Sequence, residues 1–247
     1  MPKCKWTTVI PVIVLGLLTV ASGCIPGVGP TVTGSDTLAA WDFDYSDFTR
    51  IEAGYAFDVE IVKADSHLVR ITVDDNLYEY LDVRKQGDTL HIGLKPNYNY
   101  DYRKITQKAT INLPDLEKLE LSGASKAKVD GFSSSHIVEF ELSGASEASG
   151  SIEMADGRFD LSGASSLELQ GSANDIIIEA SGASHVKLAD FSTRNADVTL
   201  SGASDCSVNL KGQLDANLSG AAKLSYIGQP ALGDIDISGG SSLKKLE

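Results

Sequence analysis

A five-residue phrase recurs through the second half of this chain and sharply limits what it can fold into. It reads Leu121-Ser122-Gly123-Ala124-Ser125 and returns as Leu142 to Ser146, Leu161 to Ser165, Ala180 to Ser184 and Leu200 to Ser204. Two looser copies follow, Leu218-Ser219-Gly220-Ala221-Ala222 and Ile237-Ser238-Gly239-Gly240-Ser241. Successive copies start 21, 19, 19, 20, 18 and 19 residues apart. A repeat of about 20 residues without helical periodicity describes a solenoid whose coils are short strands.

Counting from the first residue of each copy, apolar or small residues hold the even offsets. Offset six carries Ala127, Ala148, Leu167, Val186, Cys206, Leu224 and Leu243; two places before the phrase stand Leu119, Phe140, Phe159, Ile178, Val198, Ala216 and Ile235. Period two is the mark of a strand with one buried face. Stacked coils would set equivalent residues roughly 4.8 Å apart, so each column becomes a ladder of apolar side chains. The phrase lies between two strand segments and reads as the corner. Glycine at offset two answers a need for positive φ or for a close backbone approach that a Cβ would block. Alanine at offset three is expected to limit volume at the bend. The serines are expected to satisfy turn backbone or one another.

The chain has 247 residues and is 42% hydrophobic, enough for one sizeable core. Residues 1–23 read as a targeting segment, with Lys3 and Lys5, an apolar run from Val9 to Val20, and Ala21-Ser22-Gly23 before Cys24. Cys24 after small residues resembles a bacterial lipobox, although Ala21 stands where leucine is usual. A lipidated Cys24 would hold the protein to a membrane in the cell envelope, outside the cytoplasm. Residues 24–35, rich in Pro, Gly, Ser and Thr, read as a tether. Removing the leader takes away two lysines and no acids, leaving 19 Lys+Arg against 34 Asp+Glu and a formal charge of −15. Such a surface has no basic stripe for nucleic acid. Cys206 is then alone, and its apolar column neighbours mark it as a buried small hydrophobe.

Residues 36–115 lack the phrase but keep strand alternation, in Ala56-Phe-Asp-Val-Glu-Ile-Val and Leu68-Val-Arg-Ile-Thr-Val among others. They read as irregular coils closing one end of the core, ahead of regular coils over 116–247. Asn76 to Leu81 is suited to a single helical turn. Phe48-Thr-Arg-Ile, Ala56-Phe-Asp-Val-Glu-Ile, Asp75-Asn-Leu, Gly87-Asp-Thr-Leu and the train of Ser-Gly-Ala-Ser coils together resemble the head GIN domain, a family of autotransporter-type adhesins. The resemblance spans roughly Trp41 to Ser241. It implies an all-β surface domain, a right-handed parallel β-helix, with no catalytic residues and no cofactor. The general preference in crossover connections points to the same hand.

Three places are candidates for chemistry. One residue before the phrase stand Glu120, Glu141, Asp160 and Glu179, which the column register sets side by side on an outer face. Like charges one strand apart repel unless solvent or cations relieve them, so Glu141, Asp160 and Glu179 are weak calcium candidates against the plainer reading of a solvated acidic face. Tyr98, Tyr100 and Tyr102 alternate within Asn97–Tyr102; as a row on one side they would stack on a sugar or grip a peptide, and otherwise they cover the core. The acids with Arg158 also admit a carbohydrate-active enzyme, a polysaccharide lyase or hydrolase, but coils so uniform in length supply no cleft. His67, His91, His136 and His185 show no metal or catalytic spacing. The reading is a non-catalytic envelope lipoprotein, an adhesin or scaffold recognising glycan or protein. Oligomeric state is open.

Overall fold

The structure, a computed structural model, describes residues 30–246. The targeting segment and residues 24–29, which are Cys24 and the first half of the tether, lie outside the described residues. Among those described, no helix is long and apolar enough to cross a membrane.

The repeats stack as the columns require. Two ladders of strands run the length of the molecule, joined at every coil by the five-residue phrase. The approach ladder leads into the corner. Its strands Lys118–Leu121, Ile137–Leu142, Asp156–Leu161, the later half of Ser166–Ala180, that of His185–Leu200, Gln213–Leu218 and Ala231–Ile237 pair in parallel. The departure ladder leaves the corner through Lys126–Ser133, Glu147–Glu153, the first halves of the same two long strands, Asp205–Leu210, Lys223–Gly228 and Ser242–Lys245. Leu119, Phe140, Phe159, Ile178 and Val198 stack in one buried column, and Val186, Cys206 and Leu224 in another. Phe140, Phe159 and Phe191 meet edge to face, with centroids 5.8 and 6.4 Å apart, and fill the interior. Burial pushes the Cys206 thiol well up, which keeps it protonated and inert.

The corner explains the phrase residue by residue. Glycine at offset two takes positive φ in all seven copies, from +62° to +78°. A Cβ there would also strike the coil beneath: at Gly220 it would lie 2.6 Å from the Gly202 carbonyl oxygen. Both reasons for glycine therefore operate together. That carbonyl is occupied, because the alanine N–H of the next coil donates to it; Ala183 reaches Gly163 O at 2.7 Å and Ala203 reaches Gly182 O at 2.7 Å. The alanine side chains face solvent, so they do not limit volume as the sequence suggested; what the corner uses is their N–H. The last serine is buried, and in four copies its hydroxyl donates to the carbonyl three residues back at 2.7 Å.

The N-terminal part closes one end of the stack. Arg50–Ala53 and Asp58–Lys63 form one further parallel coil against Lys118–Leu121 and Lys126–Ser133. A second parallel coil, Thr89–Leu94 and Gln107–Leu113, stacks on that one. The strands added outside it are antiparallel: Leu81–Gln86 on Thr89–Leu94, and Leu68–Asp74 on Gln107–Leu113 with Leu38–Phe43 beyond it. Leu81–Gln86 and Thr89–Leu94 are joined by a two-residue turn, in which Gly87 at φ +63° folds the chain back on itself. A 3₁₀ turn covers Asp75–Tyr80 and buries Leu77. Buried Asp74 accepts the N–H of Asp36 at 3.0 Å and of Thr106 at 2.7 Å, which pins the incoming chain to this cap. Thr31–Val32 pairs there with Asn99–Tyr100.

Candidate functional site

The three tyrosines sit on this cap and form one row, with centroids 6.2 and 6.1 Å between neighbours. They differ in depth. Tyr100 is only 7% exposed and donates its hydroxyl to Lys95 O at 2.8 Å, so it is a core residue. Burial, with the surrounding phenols, pushes its pKa up to about 12. Tyr98 and Tyr102 are 52% and 45% exposed. Tyr80 supports the row from behind, edge-on to Tyr98 at 4.9 Å. The row thus divides into one anchor and two free faces.

Sequence reasoning missed a fourth ring. Ala53-Gly54-Tyr55-Ala56-Phe57 forms the corner of the first coil, since Ser122 N donates to Ala53 O and Lys126 N to Phe57 O, as in the later coils. Tyr55 stands where the phrase has glycine and takes φ +59°, followed by Ala56 at +60°. A tyrosine in the left-handed region costs about 1–2 kcal/mol, and nothing in the turn itself requires one. Its ring lies over Gly93, where an added Cβ would come within 3.1 Å of Tyr55 Cδ2. Buried Gln107 holds its carbonyl through Nε2 at 2.8 Å. Tyr102, whose pKa rises through burial and then through Tyr55, lies near it. The signal was present as a degenerate phrase, in which tyrosine had replaced the residue that identified it.

Tyr55 forms one wall of a pocket of about 250 Å³, whose opposite side carries Glu52, Asp82, Arg84 and His91. Arg84 is paired with Asp82. His91 Nδ1 lies 2.6 Å from Glu52 Oε2, yet the two are misaligned for a hydrogen bond, and among the described residues no other group satisfies that nitrogen. The pocket therefore combines an aromatic wall with two pairs of polar and charged groups, His91 with Glu52 and Arg84 with Asp82, a constitution suited to a small polar ligand.

The acidic face is also where the columns predicted it. Glu52, Glu120, Glu141, Asp160 and Glu179 pair in register along the approach ladder. Glu120, Glu141, Asp160 and Glu179, with Ser143, Ser162 and Ser181, border a groove of about 430 Å³. The repulsion is relieved from within. Lys118 Nζ reaches Glu141 at 2.7 Å, and Arg158 reaches Asp160 and Glu179, each at 3.0 Å. Among the described residues no group of three or more His, Cys, Asp or Glu side chains is arranged to hold a metal ion. Arg158 also ties up the carboxylate pair that a glycosidase would need free.

The class these elements define is an all-β parallel solenoid closed at one end by an antiparallel cap. The chain belongs to the family described as "Putative auto-transporter adhesin, head GIN domain", whose model matches residues 47–230. No curated protein matches it. Among solved structures it is similar to a putative adhesin from Bacteroides fragilis, with a TM-score of 0.80 at 17% identity, covering 88% of this chain and 100% of that one. A putative lipid binding protein from Parabacteroides distasonis aligns with a TM-score of 0.69 at 20% identity, over 88% and 100%. A putative adhesin from Parabacteroides merdae aligns with a TM-score of 0.66 at 16% identity, over 89% and 100%. Likeness at these identities shows the shared fold.

Proposed function

We propose that this protein is a non-catalytic lipoprotein of the cell envelope, anchored through Cys24, which acts as an adhesin or scaffold by recognising a glycan on its tyrosine-lined cap. The observation that carries the reading is Tyr55. A tyrosine held at φ +59° over Gly93 is a local expense that the fold does not require. Exposed Tyr98 and Tyr102 extend the same aromatic surface. Sugar rings stack on such faces, while Glu52, Arg84 and His91 suit their hydroxyls. Thr31 lies seven residue steps after Cys24, at most about 25 Å of chain. That reach favours a glycan of the cell's own envelope.

The test is a glycan array probed with mature protein and with Tyr55→Gly. Glycine accepts the backbone angle, so stability should stay within about 1 kcal/mol of the parent while binding is lost. Retention of the same glycans by Tyr55→Gly, or no glycan bound by the parent, would overturn the assignment.

A further inference from the structure

Among the described residues the end of the solenoid opposite the cap carries no covering element. Ala231–Ile237 pairs only with Gln213–Leu218, and Ser242–Lys245 only with Lys223–Gly228, so among the described residues each strand keeps one unpaired backbone edge. Side chains at core positions are uncovered with it. Leu232 and Ile237 are 51% and 44% exposed, whereas Leu214 and Leu218, the equivalents one coil earlier, are fully buried. Ile235 and Leu243 are half-covered. An unpaired edge with exposed apolar residues is a template for another strand.

The charges on this edge select the occupant. The approach strand presents exposed Asp234 and Asp236, and the departure strand presents exposed Lys244 and Lys245. Consider a two-fold axis through the last corner, in the plane of the coil and midway between its strands. It lays the approach strand of one copy antiparallel on the departure strand of the other, and the reverse. Aspartates then meet lysines on both sides of a closed, isologous contact. The other two-fold, approach on approach, would set aspartate against aspartate. We propose that the open end is a docking surface for a second copy of this chain, which makes a tail-to-tail dimer with the tyrosine caps at its two far ends. This does not depend on the glycan reading.

Sedimentation velocity of the mature protein over a concentration series tests it. The parent should sediment as a dimer that weakens with salt. Asp234→Lys with Asp236→Lys should weaken the dimer about tenfold or more, as should Lys244→Glu with Lys245→Glu, and the fourfold charge exchange in one chain should restore it. Each variant's melting temperature reports whether the body is intact. A parent that stays monomeric into the hundred-micromolar range would overturn the proposal, as would an unaltered dimer in both double variants. So would a ladder of species beyond the dimer.

Discussion

Replacing Gly182 by alanine tests why glycine recurs at the corner, because two separable penalties act there. The first is conformational. Gly182 has φ +76°, and an L-residue in that region costs about 1–2 kcal/mol. The second is steric. A Cβ would sit well under 3.0 Å from the Gly163 carbonyl oxygen and 3.1 Å from Gly163 N, both backbone atoms. That carbonyl also accepts Ala183 N–H at 2.7 Å, so it cannot withdraw without weakening the bond between coils, worth about 1 kcal/mol. The sum is about 2–4 kcal/mol. Gly87 supplies the control: its φ is +63°, but nothing lies within 4 Å of its missing Cβ. Gly87→Ala should therefore cost only about 1–2 kcal/mol, the conformational part alone. Gly182→Val, with a second branch to accommodate, should cost at least as much as Gly182→Ala. Urea midpoints at unchanged m-value give both numbers. Equal losses at Gly182 and Gly87 would show that the coils do not approach closely at the corner.

Three further outcomes are expected. Asp74→Ala strands the N–H groups of Asp36 and Thr106 in the cap and should destabilise by roughly 2–4 kcal/mol, which the same urea titration reads. The His136 pKa is raised, first by its bond to the Ile137 carbonyl at 2.9 Å and then by Asp115 at 2.6 Å, because both contacts are made only when both ring nitrogens carry hydrogen. Its stabilisation is therefore complete below the ordinary histidine value of about 6.5 and fades as pH rises through the elevated one; a ring-proton NMR titration should find His136 titrating above that ordinary value. Finally, millimolar calcium should leave the melting temperature unchanged, since Lys118 and Arg158 already hold Glu141, Asp160 and Glu179, and Arg158→Gln should be the variant in which a calcium shift emerges.

The regular half was legible because its signal is periodic. Leu119 to Val198, and Val186 with Cys206, fall in the columns that spacing alone assigns them, since a stacked coil converts sequence period into spatial neighbourhood. The cap was not legible in the same way. Its strands alternate like any others, and nothing in the alternation of Leu68–Asp74 tells whether its neighbour runs parallel or antiparallel. The tyrosine row was visible as a run of rings. Its division into buried Tyr100 and exposed Tyr98 and Tyr102 depends on tertiary packing against Tyr80 and Lys95. Tyr55 was hidden because the corner was recognised by its glycine, and this first corner carries a tyrosine at that position.

Zero-length coupling of lysine to carboxylate, read by mass spectrometry, examines the stacked coil itself. Lys118–Glu141, Lys126–Glu147 and Glu168–Lys187 lie 2.7, 2.8 and 3.1 Å apart across adjacent coils, so the cross-linked peptides should join residues 19 to 23 positions apart. Cross-links from these lysines to carboxylates at unrelated separations, with those three pairs missing, would contradict the solenoid.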